Sequence, residues 1–153
     1  MNELERIRDQ IIRSLDKEAW HGPPLMQVLS GVDVQAATAR PIPNAHTIWE
    51  ILLHLSASAE LVLSRLRGEA RTLSPDQDWP APPPAGDLDA WEADVRRLAE
   101  VHRELIAELS TLEGSRLDAP IVPGFSSVYV TLHGLVQHNL YHAGQIALLK
   151  KAV

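Results

Sequence analysis

Two histidines in the segment LVQHNLYHAGQI, His138 and His142, lie four residues apart. On one helix they differ by ~40° in azimuth and stand ~6 Å apart along the axis, so both imidazoles can reach a single ion. Leu135, Ile146 and Leu149 share their azimuth, which turns the pair toward an apolar interior. Neutral imidazole is the commonest metal ligand, and two or three of them leave coordination positions open for water or a substrate. Taken alone, the pair reads more readily as two core histidines satisfied by hydrogen bonds.

A third ligand is available in IWEILLHLSASAE, where His54 flanks the stripe that contains Ile51. Bundle sites draw inward side chains from facing helices, often with an i, i+3 or i, i+4 pair on one of them. The competing reading makes His54 a boundary residue facing solvent or a loop. Glu50, one turn earlier, is a candidate fourth ligand, an acceptor for an imidazole N–H, or a base that activates a metal-bound water. It also suits a first-turn carboxylate complementing the helix dipole. His46 reads as a capping or surface residue near the mouth of the site. His102 sits mid-stripe on another helix, as a fourth ligand or a hydrogen-bonded core histidine. His133 lies ~140° from His138 on the helical wheel and does not join it. His21 is a candidate for the entrance. Gln145 and Tyr141 flank the pair, Gly134 permits close backbone approach on its face, and Trp20, Trp49, Trp79 and Trp91 line a pocket or pack the core. No Ser/His/Asp arrangement and no glycine-rich phosphate loop is present.

Four long amphipathic segments must position these residues. The first runs from Asn2 to about Ala19, with Leu4, Ile7, Ile11, Ile12 and Leu15 on one face. A punctuated connection from His21 to Asn44 follows, with short helical turns expected at Leu25–Leu29 and Asp33–Ala39. The second helix is expected from Thr47 to Arg67, capped by Gly68. Thr72 to Gly86 is rich in Pro and Ala and contains Pro82-Pro83-Pro84, so it reads as a loop or polyproline segment that covers the site or merely connects. Asp87 caps a third helix ending near Gly114. The fourth starts near Thr131 and ends at Lys150-Lys151, where cations complement the dipole. With no strand-like alternation, the fold class is all-α: a single domain over 1–153, built as an antiparallel four-helix bundle.

The chain has 153 residues, a net charge of −6 and no cysteine. Thiolate chemistry and disulfides are excluded, and the acidic balance argues against nucleic acid as a partner. From Ala119 to Leu149 there is no Lys, Arg, Asp or Glu. Polar residues and prolines interrupt that run before the ~18 apolar residues of a membrane span are reached. The charged N-terminus lacks an apolar h-region, so a cytoplasmic protein with no membrane partner is expected. Leu132, Val136, Leu140, Ala143 and Ala147 form a second apolar face on the fourth helix, which suggests a homodimer.

The segments PIPNAHTIWEILLHLSASAELVLSRLRGE and TLHGLVQHNLYHAGQIALLKK resemble the DinB/YfiT-like four-helix-bundle proteins, and AWHGPPLMQVLSGV extends the resemblance over most of the chain. That resemblance implies one divalent metal held by His54, His138 and His142. It also implies a metal-dependent enzyme acting on a small molecule, with a hydrolase expected first. The alternatives are a transferase or isomerase using a low-molecular-weight thiol such as bacillithiol or mycothiol, or a non-catalytic, stress-associated metal binder. A three-histidine site with open positions suits zinc or nickel, and also iron or manganese.

Overall fold

A computed structural model describes residues 1–84 and 87–153. Four long helices carry the fold: α1 (Glu3–Leu15), α4 (Ile48–Leu66), α6 (Leu88–Leu109) and α7 (Val128–Lys151). Three short ones, α2 (Leu25–Leu29), α3 (Val34–Thr38) and α5 (Pro75–Asp78), sit in the connections. No strand occurs among the described residues, and no helix there is long and apolar enough to cross a membrane.

Each long helix is started by a side chain that takes up orphan N–H groups. Asn2 and Glu5 form a reciprocal capping box on α1, and Thr47 and Glu50 form one on α4. Asp87 accepts from Ala90 N–H at the start of α6, and Ser127 accepts from Val130 N–H at the start of α7. Ser127 explains why α7 begins three residues before the expected Thr131. The first helix stops at Leu15 rather than near Ala19, and α6 stops at Leu109 rather than near Gly114. Past that end the Ser110 and Thr111 hydroxyls donate back to Ile106 and Glu108 carbonyls, competing with continued helix. The proline-rich stretch is not wholly irregular. Pro75 opens α5, because a missing N–H costs nothing in a first turn. Its last two residues, 85 and 86, lie outside the described ones.

α4 packs on α6 and α7, and α1 packs on α7 and α6. One apolar cluster joins Leu4, Ile7 and Ile11 to Val62, Leu66, Leu105, Leu109, Val128 and Leu132. The other joins Leu15 to Ile48, Leu52, Trp91, Leu98, Ile146 and Leu149. The start of α1 therefore shares an end of the bundle with the start of α7 and with the finish of α4 and α6. The antiparallel relation holds between α4 and α7 and between α1 and α6, whereas α1/α7 and α4/α6 run parallel. The reason is the connection after α4, which must travel the length of the bundle before α6 can begin, a long crossover of the kind bundles accommodate.

Between the two clusters lies a polar layer. Asn139 donates to both Ser14 Oγ (3.2 Å) and His102 Nε2 (3.1 Å), while His102 Nδ1–H donates to the Leu98 carbonyl (2.9 Å). All three side chains are buried, and the network ties α1, α6 and α7 together at one level. Much of the second apolar face foreseen on α7 is spent inside the bundle. Leu132 and Ala143 are core residues, and Val136 and Ala147 pack against the core. Nor does Gly134 serve a close approach, since a Cβ added there would meet no atom within 4 Å.

Candidate metal centre

His54 from α4 and His138 and His142 from α7 converge beside this polar layer. One nitrogen from each falls within 4.8 Å of the other two, a grouping that can hold a metal ion. The ring centroids form a nearly equilateral triangle: 4.8 Å for His54–His138, 4.9 Å for His54–His142 and 4.5 Å for His138–His142. His54 and His142 are buried and His138 is partly so. The convergence follows from local folding. The i, i+4 spacing stacks two imidazoles on one side of α7, and α4 crosses that side with His54 toward it.

Hydrogen bonds fix which nitrogen His54 and His142 offer. His54 Nδ1 lies 2.7 Å from the Asp78 backbone carbonyl and 3.2 Å from Asp78 Oδ1, both acceptors only. The proton must sit on Nδ1, which leaves the Nε2 lone pair free. That Nε2 faces His138 Nε2 at 2.9 Å. His142 Nδ1 likewise donates to Gln145 Oε1 at 2.6 Å. Metal-ligating histidines are oriented by this kind of acceptor behind the ring. The donor set fits a divalent ion: two rings are locked in the tautomer that frees Nε2, and the third, His138, turns Nε2 toward His54 while its buried Nδ1 has no hydrogen-bond partner.

Electrostatics points the same way. Burial pushes His138 down to about 4, and His142, His54 and His102 add to the lowering. Burial also lowers His142; the bond to Gln145 opposes this, and His54 and His46 reinforce it. The buried His102 is lowered by burial too, against the Leu98 carbonyl and Asn139. At neutral pH, His138 and His142 therefore present lone pairs rather than charge.

The strap between α4 and α6 supplies the rest of the surroundings. Trp79 stacks on His54 at 3.9 Å between ring centroids and on His46 at 3.6 Å, nearly parallel to both. The connection therefore lies over the site at this point. Asp78 and Trp79 contact His54, yet spacing gave no sign of Asp78, since neither residue belongs to a periodic segment.

The remaining candidates are placed elsewhere. Glu50 has both oxygens engaged: Oε1 takes Arg40 Nη2 (2.8 Å), and Oε2 takes Thr47 N–H (2.7 Å) with His46 Nδ1 at 3.4 Å. Partial burial pushes its carboxyl up, but Thr47, Arg40 and His46 outweigh that and leave it below the usual range. The structure shows Glu50 closing the capping box at the start of α4, with both oxygens engaged. His102 belongs to the polar layer, His133 sits beside Tyr129, and His21 is exposed in its turn. Tyr141 sets its ring edge-on to His142 at 5.1 Å but is largely exposed. Trp49 and Trp91 are core residues in edge contact at 5.3 Å, with their N–H groups on Asp94 and the Val32 carbonyl, and Trp20 is fully exposed.

No curated protein and no solved structure matches this chain. A family model described as the DinB superfamily matches residues 19–146, which include all three histidines. Fold, centre and family match agree: this chain belongs to the DinB superfamily.

Proposed function

We propose that the chain is a metal-dependent enzyme in which His54, His138 and His142 hold one divalent ion through their Nε2 atoms, and that it hydrolyses a small molecule. The observation that carries this reading is the pair of locked tautomers, His54 against Asp78 and His142 against Gln145. Three neutral ligands leave the ion its full double charge, which supplies Lewis acidity and brings the deprotonation of a water toward neutral pH. Asp78 is the carboxylate in contact with the triad, and it is partly solvent-exposed. It backs His54 on the Nδ1 side, away from the proposed ion, and its proposed role is to orient that ring. A thiol-transfer reaction is less well supported, because among the described residues no cationic cluster adjoins the triad to anchor an anionic thiol cofactor. Zinc and nickel are the proposed ions, since a cluster of imidazoles suits both.

Elemental analysis of the purified protein beside His54→Ala and His138→Ala variants tests the centre. One metal per chain in the parent, lost in both variants, is expected. A parent without metal after reloading with zinc or nickel would refute the site. Turnover of an ester or amide panel by the loaded parent is the expected activity. Tight metal binding with no turnover would instead assign a non-catalytic role.

A further inference from the structure

A cavity of about 320 Å³, at the small end of ligand-binding clefts, adjoins the centre. Ile51 and Leu149, both nearly inaccessible, form its inner wall, and Ile42 and Leu148, exposed at 47% and 65%, form its mouth. Two further lining residues connect it to the triad. Gln145 accepts from His142 through Oε1, and His46 stacks on Trp79, which stacks on His54. No Asp, Glu, Lys or Arg lines it. A roomier cavity of about 560 Å³ borders Lys150, but that ammonium is already bonded to the Val28 and Ser30 carbonyls, and nothing there touches the triad.

These walls restrict what fits. A charged ligand would lose its hydration with no counter-charge of fixed sign to meet it. An apolar body gains from every methylene removed from water. Gln145 spends its carbonyl on His142, so its N–H donors remain for an acceptor on the ligand. The exposed Ile42 and Leu148 stand together at the lip of this cavity, so they add apolar surface at its entrance.

We infer that this cavity binds the non-reacting part of the substrate, and that it selects a neutral molecule with a compact aliphatic or aryl body and a carbonyl-type polar end beside Gln145. Only the word substrate rests on the enzymatic reading; the cavity's preference holds without metal.

The test is a titration followed by ¹H–¹⁵N NMR, on metal-free and metal-loaded protein. The probes are N-methyl amides of increasing chain length, with hexanoate and hexylammonium as charged counterparts. Shifts are expected at the backbone amides of 44–46 and 145–149 in both forms. Affinity should tighten about fourfold per added methylene until the cavity is filled. The neutral N-methylhexanamide should bind at least tenfold more tightly than either ion. Leu148→Asp, a change at an exposed position, should abolish the chain-length trend while leaving metal content unchanged. Shifts located elsewhere, affinity independent of chain length, or equal binding of the ions would overturn the inference. The two readings fail separately: amide binding by a protein that never takes up metal keeps the cavity and removes the enzyme, whereas metal uptake without amide binding does the reverse.

Discussion

Acid should weaken the metal-free protein through His138 specifically. In the folded chain this imidazole is held down at about 4 by burial and by its histidine neighbours. In the unfolded chain it titrates at ~6.5. The folded-state value is depressed, so the stability it contributes is fully present above pH 6.5. It is lost as pH falls toward 4, because the unfolded chain takes up a proton that the native site refuses. The loss from this one group is ~2 kcal/mol at pH 5 and ~3 kcal/mol at pH 4. For a domain of this size, the pH 5 figure corresponds to a fall of ~4–8 °C in Tm. His102 and His142 are shifted in the same direction and deepen the trend. The assay is thermal unfolding in EDTA at pH 7, 6, 5 and 4.5, comparing the parent with His138→Gln, which keeps a polar head but has nothing to titrate. The parent should lose more stability than the variant over this range, by about 2 kcal/mol at pH 5. Parallel curves would refute the reasoning, since the acid loss would then arise elsewhere.

Three further outcomes follow from the geometry. Gly134→Ala should stabilise the protein by ~0.5–1 kcal/mol in urea unfolding, because the site is helical and a Cβ meets open space; destabilisation would mean the backbone there is approached more closely than described. Nickel added to the metal-free protein should quench tryptophan emission, and Trp79→Phe should remove most of that response, since Trp79 is the indole stacked on a triad imidazole; undiminished quenching in the variant would contradict it. Val130 and Tyr141 lie exposed on one line of α7, inside a stretch without charged residues, so we propose that this line pairs two copies of the chain. Sedimentation should show a dimer at micromolar concentration that Val130→Asp dissociates, and a monomeric parent would end that proposal.

The helices were legible because their signals are local. Leu25–Leu29 is found where its punctuation placed it, and α4 starts and stops within one residue of expectation because Thr47 and Gly68 mark its ends. The i, i+4 pair on α7 was equally readable. Three features were not, each for a physical reason. The up and down sense of the helices depends on where a connection runs, and a chain of turn formers carries no direction. Glu50 suits a capping box and a catalytic base equally well in sequence, and its bond to Arg40, ten residues away, is a contact no helical spacing encodes. Asp78 meets His54 across 24 residues, a contact no periodicity encodes.

That strap has a consequence for how such a protein can change. α5 contributes no buried residue, yet it is the element that backs one imidazole and brings an indole over the site. The bundle's interior and the approach to its centre are thus written in separate stretches of chain. Apart from Asp78, which holds His54, and Trp79, which packs on the second cluster, substitutions between 72 and 84 can redraw what reaches the three histidines while the four long helices keep their packing. For an engineer, this segment is the natural place to graft diversity.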